Sequence, residues 1–483
     1  MPALAWGWEP SGRVLEGSSA RWDFVPSSTN GMRDKTSLDK VATRKANGSI
    51  PWLNTLEALI MEDTSSALRA AEELVEALKS QPQANHAQHL ALLERVDKVR
   101  TLLETPYDVI ERQQETMCTS GVMYTLISTG AIKKIPDEGT ITAEKLAAEM
   151  NMDVSAIHRL MRVAVVSGFF VETAPNTYAH NALSQAYQLH AQGPFFVLCM
   201  EFNKMCMALP NYFKTHKPED IYDLKKSPYC FSIGKEGKTY YEAIDEDPEQ
   251  RLIWNSCLQI IEKNMPITGM FPWESLKENV EKEPERPFVV DVAGGRGQAL
   301  LKLQEEIPGA YGGKLILQDL PIVINSLKPE ELPNIEAMSY DIFTPQPVKS
   351  EPPSPTPPSP TTAIFLWKFS STNLSQDAHV YFMRRLLHDF YPSVCLDILK
   401  STVSAMGPDS RLIVCDMLVP ELVQPGRMKE LYWLDLNLMS ISGKEKTLHE
   451  FQQMFDAVGL ELVKVWPSEI GATVQLETRL KRS

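Results

Sequence analysis

The sequence predicts an α/β protein with an N-terminal all-helical and winged-helix part and a C-terminal parallel sheet covered by helices. Apolar residues recur at helical spacing over residues 53–78, which indicates an amphipathic helix. From Pro287 onwards, the short apolar runs FVVDVAG, KLILQDL and RLIVCDM are separated by helical stretches. Strands that alternate with helices are typical of a parallel α/β sheet.

The composition argues against several classes of protein. The chain has 483 residues, about three times the ~150 residues of one domain, so two or three folded units are expected. Its 48 basic and 62 acidic residues give a formal charge of −14, which provides no general attraction to nucleic acid or to an anionic membrane. Seven scattered cysteines without a CxxC pair argue against a disulfide scaffold or a zinc ribbon.

The sequence also predicts a cytoplasmic location. No apolar run approaches the ~18 residues that a membrane span requires. The first residues, MPALAWGWEPSGR, lack the charged and apolar regions of a secretory signal. The free cysteines agree with a reducing compartment.

The first 190 residues divide into a tail and a helical region. Residues 1–50 contain few apolar positions and are predicted to be a disordered tail. A docking segment formed by Trp6, Trp8 and Trp22 is the alternative. Residues 51–190 are predicted to form a helical and winged-helix dimerisation domain.

Residues 131–190 carry the pattern of the winged helix itself. Thr142 is placed to cap a short helix over Ala143–Met150, and Asp153 or Ser155 is placed to cap the next helix. A small hairpin that follows the second helix would form the wing.

A winged helix often binds DNA, and the local charge is a test of that function. Residues 141–190 contain three basic and four acidic side chains. A DNA-binding domain is expected to present a basic surface. The region is therefore predicted to serve in packing or dimerisation and not in DNA binding.

Two further segments complete the organisation of the chain. Residues 191–285 are rich in methionine and aromatic residues and are predicted to be a helical linker and substrate-pocket region. Most of these side chains are expected in the core, and a few are expected to line an adaptable apolar pocket. Residues 286–483 form the α/β domain.

A Pro-rich insertion over residues 350–376 interrupts the α/β domain. It begins with EPPSPTPPSP, which has six prolines in ten residues and cannot form a helix or a central strand. Three interpretations are open: a surface loop with Ser/Thr-Pro phosphorylation sites, a partner-docking loop, or a retained intron. The retained intron is the favoured hypothesis, since the 27-residue segment preserves the reading frame.

The strongest local motif is VVDVAGGRGQ, residues 289–298. A predicted strand ends near Asp291, and a Gly-rich turn leads into a helix. Glycines let the backbone approach a ligand closely, and a helix N-terminus offers unpaired N–H groups to an anion. Gly-rich turns also occur for packing alone, so the motif by itself is weak evidence of a ligand site.

An acidic residue on the next strand adds to this motif. Asp319 lies 22 residues after Gly297, where an acid is suited to bind two ribose hydroxyls. The pair predicts an adenosine cofactor. Leu300 replaces the third glycine of the dinucleotide fingerprint, and Asp291 is suited to an amino group. A sulfonium nucleoside is therefore favoured, and an NAD-dependent oxidoreductase is the alternative.

A set of ordered motifs resembles the class I S-adenosylmethionine-dependent O-methyltransferases of the plant caffeate type, and most closely their fungal secondary-metabolite relatives. The motifs are VVDVAGGRGQALLKL, LQDLP, SYDIFTPQPVK, DAHVYFMRRLLHDF, LIVCDMLVP and GKEKT. The resemblance covers roughly residues 100–483, less the insertion. It implies a Rossmann-like methyltransferase sheet as the catalytic domain over residues 286–483, S-adenosylmethionine as cofactor and a homodimer.

The resemblance also implies which residues bind the cofactor. The methionine part would be cradled by Asp291, Gly294, Gly295 and Gly297, the ribose would be bound by Asp319, and the adenine by Asp341 and Phe343. Arg384 would stand where the family has a cofactor-contacting lysine. Ala293 and Phe390 replace the usual glycine and tryptophan of the family.

The resemblance implies His388 as the general base, flanked by Asp416 and Glu445. A phenol with a pKa near ~10 is mostly neutral at pH 7, and a histidine accepts its proton there. Asp416 or Glu445 would hold the far ring nitrogen. Asp389 is expected to be structural, and Asp435 and Asn437 are candidates for substrate contacts.

The predicted function is methyl transfer to a phenolic hydroxyl of a small aromatic metabolite. A sulfonium methyl is already activated, so the reaction requires alignment of the reacting atoms and no metal. The sequence has no HExxH motif or paired aspartate cluster, and a metal-independent enzyme is expected. A catalytically degenerate protein that still binds the cofactor is the second alternative.

Overall fold

The computed structural model describes residues 51–80, 86–189, 192–263, 265–349, 377–424, 426–469 and 471–482. The predicted tail of residues 1–50 and the insertion of residues 350–376 lie outside this part of the chain. The described residues fall into two compact units that divide within the first helix, after Ser66. The architecture below concerns the second unit, from Ala67 onwards.

The N-terminal part is helical, as the apolar periodicity predicts. Thr105 caps the third helix, since its side chain accepts from the backbone N–H of Asp108 and Asp108 bonds back to Thr105. This reciprocal capping box satisfies donors that the helix leaves unpaired. The long helices are α1 (Pro51–Ser80), α2 (His86–Leu103) and α3 (Pro106–Ser128).

The winged helix is present and has its own core. Its elements are β1 (Ile141–Thr142), α4 (Ala143–Met150), α5 (Val154–Val166), β2 (Phe170–Ala174), β3 (Thr177–His180) and α6 (Ala182–Leu189). Thr142 caps α4, as predicted. Asp153 caps α5 by accepting from the N–H groups of Ser155 and Ala156. The choice that the sequence left open between Asp153 and Ser155 therefore falls to Asp153.

The region between the winged helix and the sheet is helical, as predicted. Its helices are α7 (Gln192–Thr215), α8 (Pro228–Ser232), α9 (Tyr240–Ile244), α10 (Pro248–Lys263) and α11 (Lys277–Lys282). Met205, Tyr229 and Tyr240 are buried in one cluster with Leu438 and Ile441 of the C-terminal domain. The helical region is thus packed directly against the domain that carries the sheet.

The C-terminal domain contains a mixed sheet of eight strands. The strands are β4 (Pro287–Val292), β5 (Lys314–Asp319), β6 (Ile335–Ser339), β7 (Val380–Arg384), β8 (Arg411–Val419), β9 (Lys446–Thr447), β10 (Leu460–Pro467) and β11 (Thr473–Leu480). Along the sheet the order is β10, β11, β8, β7, β4, β5, β6, and β9 pairs separately with β8. The run β8, β7, β4, β5, β6 is parallel, whereas β11 is antiparallel to both of its neighbours, β8 and β10.

Helices cover both faces of this sheet. One face is packed by α14 (Pro392–Val403) and α16 (Leu448–Ala457). The other is packed by α11 and α12 (Gln298–Glu306). Two shorter helices, α13 (Pro321–Ile324) and α15 (Lys429–Leu438), complete the domain. Because the central strands are parallel, the segments that follow β4, β5 and β7 meet at one edge of the sheet.

Within the described residues, no helix combines the length and the apolar character needed to cross a membrane. The cytoplasmic location stays a prediction.

Candidate active site

The Gly-rich turn follows β4 at the carboxyl edge of the sheet. An added Cβ on Gly294 would meet the buried carboxylate of Asp291 and lie 2.6 Å from Leu317 Cδ1. Gly297 has a φ of 81°, in the left-handed region that favours glycine. Gly295 has a φ of 61°, and a Cβ there would make only an ordinary contact, 3.8 Å from Gln298 Oε1.

Ala293 begins this turn with a φ of 57°. The left-handed region costs a residue that has a Cβ about 1–2 kcal/mol. The turn therefore keeps its shape at some cost in stability, as is common at functional sites. Asp291, at the end of β4, is fully buried beneath the turn.

Asp319 connects the turn to the second strand. Its Oδ2 accepts from the backbone N–H of Gly295 at 2.8 Å, and its Oδ1 accepts from the N–H of Leu320 at 2.8 Å. Burial raises the pKa of Asp319, and these two hydrogen bonds oppose the increase. The carboxylate thus orders the loop in addition to any contact with a ligand.

The same edge of the sheet exposes an apolar surface. Phe343, which follows β6, is 58 % exposed and meets Phe390 edge-on with ring centroids 5.9 Å apart. Asp341 accepts from the backbone N–H of Phe343 at 3.0 Å and so orients this loop. Leu320 and Ile322 are also exposed. An exposed apolar surface beside polar groups suits a ligand with a flat, partly apolar ring system.

The histidine predicted as the base is buried beside three carboxyl groups. His388 lies on a short 3₁₀ turn, Leu387–Asp389, that follows β7. Its Nδ1 lies 3.2 Å from Glu445 Oε1, and its Nε2 lies 3.2 Å from Asp389 Oδ1. Asp416 comes from β8, and one polar atom each of His388, Asp416 and Glu445 lie within 4.8 Å of one another.

The structure distinguishes the two flanking acids. Glu445, not Asp416, bonds Nδ1 of His388. Glu445 is 1 % exposed, although the charged residues on either side of it are typical of a solvated surface. Both oxygens of Asp416 are buried, and neither has a hydrogen-bond partner among the described residues.

The surroundings shift the pKa values of these groups in different directions. Burial raises the pKa of Asp416 to about 6. Burial acts in the same direction on Glu445, but the charges of Arg385 and His388 outweigh it and hold the pKa of Glu445 well below its usual range. Burial lowers the pKa of His388, whereas the carboxylates of Asp389 and Glu445 raise it and prevail. Glu445 is therefore ionised at neutral pH.

Arg384, predicted to contact the cofactor, is the last residue of β7 and is half-buried. Its in-register neighbour on β8 is Cys415. Arg384 thus lies at the edge of the sheet where the Gly-rich turn begins. The next residue, Arg385, bonds Glu445 and was not identified from the sequence.

Asp435 and Asp389 each make a contact within the site. Asp435 Oδ1 accepts from the backbone N–H of Glu445 at 2.8 Å, and its contact with a substrate stays a prediction. Asp389, expected to be structural, places its carboxylate beside His388 Nε2. Both roles depend on contacts between segments that are distant in sequence or on the shape of a turn.

Lys446 is a second cation that the sequence did not reveal. It is 1 % exposed, and its Nζ donates to the carbonyls of Leu387, Phe390 and Lys444 at 2.7, 2.8 and 2.9 Å. The backbone of the same segment also approaches the turn, since a Cβ on Gly443 would lie 2.6 Å from the carbonyl oxygen of His388. The segment therefore clamps the turn that carries His388.

We expect Lys446→Met to lower the free energy of unfolding by about 1–3 kcal/mol, because it removes the donor from buried carbonyl groups. Turnover should fall as the turn of His388 loosens. Denaturant unfolding is the measurement, and Lys444→Met is the matched control. Lys444 pairs with Glu450 near the surface, so its loss should change stability by less than about 1 kcal/mol. Equal effects of the two substitutions would contradict the clamp.

Comparison with protein-family models gives two matches. The model of the O-methyltransferase domain matches residues 330–461, which include Asp341, Phe343, Arg384, His388, Asp416 and Glu445. The model of the O-methyltransferase dimerisation domain matches residues 112–189, which include the winged helix.

Comparison with individual proteins agrees. The chain is 35 % identical over 396 residues to O-methyltransferase hmp5 of Hypomyces subiculosus, covering 81 % of this chain and 92 % of hmp5. It is 27 % identical to O-methyltransferase opaF of Aspergillus ustus, covering 74 % of this chain and 79 % of opaF. The crystal structure of OxaC in complex with SAH and oxaline matches with a TM-score of 0.70 and 23 % identity, over 87 % of this chain and all of OxaC.

Proposed function

Because the chain belongs to the family of S-adenosylmethionine-dependent O-methyltransferases, we propose that it methylates a phenolic hydroxyl of an aromatic secondary metabolite, with His388 as the base. The observation that carries the proposal is the pairing of His388 Nδ1 with the buried carboxylate of Glu445. A carboxylate at this nitrogen favours the tautomer whose Nε2 can accept a proton. The cofactor is S-adenosylmethionine.

The residues at the carboxyl edge of the sheet fit this cofactor. Asp319 is already positioned by backbone N–H groups beside the open face of Gly295, where it would bind the ribose. The exposed ring of Phe343 and the Asp341 loop would hold the adenine. The methionine part would lie against Asp291, Gly294, Gly295 and Gly297, with Arg384 as a further contact. When bound, S-adenosylmethionine supplies a methyl group attached to a positively charged sulfur. An oxygen nucleophile accepts the methyl group, and the sulfur is the leaving group.

The chain must then orient the acceptor and remove its proton. A neutral His388 Nε2 would take the phenolic proton as the new carbon–oxygen bond forms. Glu445 would hold the imidazolium that results, because an ionised carboxylate stabilises a neighbouring positive charge. Asp416, whose pKa burial raises to about 6, would add a second, weaker anion to the same site. Asp389 lies beside Nε2 and would contact the acceptor hydroxyl.

The same family membership supports a homodimer. The dimerisation-domain model matches residues 112–189, and large apolar side chains are exposed on the neighbouring helices at Leu68, Val75, Leu93, Val96 and Ile110. Exposed apolar surface of this kind is typical of an interface. We expect light scattering to give twice the mass of one chain, and the mass of a single chain would contradict the dimer.

Binding and turnover together test the function. S-adenosylmethionine is titrated into the full chain by calorimetry, with NAD as the control ligand, and a panel of phenols is then compared with the corresponding methyl ethers as acceptors. Saturable binding of S-adenosylmethionine alone and formation of a methyl ether from the phenols are expected. Binding without turnover of any phenol would favour the non-catalytic alternative, and binding of NAD would favour the oxidoreductase. Retention of activity with a chelator present would support metal independence, which stays a prediction.

A further inference from the structure

Arg385 is a half-buried cation beside the proposed base, and no step described above uses it. It directly follows β7, and its backbone N–H donates to the carbonyl of Cys415 at 3.1 Å. Its Nη1 donates to Glu445 Oε1 at 2.9 Å, and its side chain is 15 % exposed. We propose that Arg385 is a positioning residue that holds Glu445 against His388 and opposes the protonation of His388, which must be neutral to accept a proton. This inference rests on the proposed function.

The geometry places two donors on one carboxylate oxygen. Glu445 Oε1 accepts from Arg385 Nη1 at 2.9 Å and lies 3.2 Å from His388 Nδ1. A hydrogen bond between two ionised groups is about twice as strong as one between neutral groups. Arg385 therefore determines where this oxygen lies, and the oxygen determines which ring nitrogen of His388 carries the proton.

The backbone supports a specific role for this side chain. Arg385 has a φ of 53°, in the left-handed region where a Cβ costs about 1–2 kcal/mol. Glycine would avoid that cost. Strained positions persist where the surrounding structure requires a particular side chain, and here the side chain reaches a carboxylate 60 residues away in sequence.

The charges around His388 explain why a cation is needed. His388 is faced by Asp389 from its own turn, by Arg385 from the end of β7, by Asp416 from β8, and by Glu445 and Lys446 from the segment that leads into α16. Three carboxyl groups favour the imidazolium, which cannot accept a proton. Lys446 is engaged with backbone carbonyls. Arg385 is the cation in direct contact with the carboxylate that bonds His388.

The direction of the effect follows from these charges. The positive charge of Arg385 lowers the pKa of His388, against the carboxylates that raise it. Removal of that charge should raise the pKa further, and the base would then be protonated over a wider range of pH. The acid limb of the pH–rate profile should therefore move to higher pH by about one unit, the size expected for an adjacent charge.

Two neutral variants, Arg385→Gln and Arg385→Met, test the inference. The pKa of His388 is measured by NMR in protein with ¹³C-labelled histidine, and the His388 signal is assigned by its loss in His388→Gln. In both neutral variants we expect the pKa of His388, and the pH of the acid limb in the pH–rate profile of methyl transfer, to rise together by about one unit. In Arg385→Lys both values should stay near those of the wild type. Arg411→Gln is the matched control, because Arg411 pairs with Glu477 at the amino end of β8, and it should move neither.

An unchanged His388 pKa in a folded neutral variant would overturn the inference. Failure of both neutral variants to fold, with Arg385→Lys folded, would also overturn it, since Arg385 would then be required for stability alone. The NMR titration needs no substrate. Absence of turnover in the wild-type chain would therefore contradict the proposed function while the role of Arg385 is still decided.

Discussion

His388→Gln is expected to reduce turnover by roughly 10²–10⁴-fold, the usual contribution of a general base. Glutamine keeps a similar size and polarity but cannot accept the phenolic proton near neutral pH. Binding of S-adenosylmethionine should be retained, because His388 is not one of the predicted cofactor contacts. Steady-state rates with saturating cofactor and calorimetry of both proteins are the measurements.

His449→Gln is the matched control for this substitution. His449 is exposed on α16 and contacts Gln453, away from the turn that carries His388. Its replacement should leave turnover unchanged. If a folded His388→Gln variant turned over as fast as the wild type, His388 would have no role in proton transfer.

Glu445→Gln should have the second-largest effect, on both stability and turnover. The substitution leaves the half-buried Arg385 beside a neutral amide. Loss of one partner of a fully buried ion pair costs about 3–5 kcal/mol, so this pair is expected at the lower end of that range. His388 would also lose the anion that stabilises its protonated form. We expect the free energy of unfolding to fall by about 3 kcal/mol and turnover to fall by roughly 10²-fold.

Glu477→Gln separates these two effects. Glu477 accepts from Arg411 at 3.1 Å and from Trp466 Nε1 at 3.0 Å, and this buried carboxylate pairs with a half-buried arginine at the opposite edge of the sheet. It should lower stability and leave turnover unchanged. Equal losses of turnover in the two variants would mean that Glu445 acts only through folding.

Local patterns in the sequence were sufficient for the order and type of the elements. The caps at Thr142 and Asp153 use atoms two or three residues away, so neighbouring residues alone determine them. The alternation of strands and helices predicted the parallel sheet. Because parallel strands end at a common edge, Asp319 at the end of β5 and His388 after β7 lie at the same side of the domain.

Tertiary structure alone decided how the site is held together. The contact of Glu445 with His388 spans 57 residues, and that of Arg385 with Glu445 spans 60. Local periodicity carries no information about such pairs, since they depend on which loops meet at the edge of the sheet. For the same reason Glu445 and Lys446, in a segment that reads as solvated, are buried.

The sequence by itself therefore determined the fold class, the family and the residue types available for chemistry. The structure decided which acid bonds His388 and which cation faces that acid. The physical reason is the distance along the sequence over which each kind of interaction acts. Helix caps and strand patterns arise from interactions within a few residues, whereas burial and charge pairing arise only when distant segments are brought into contact.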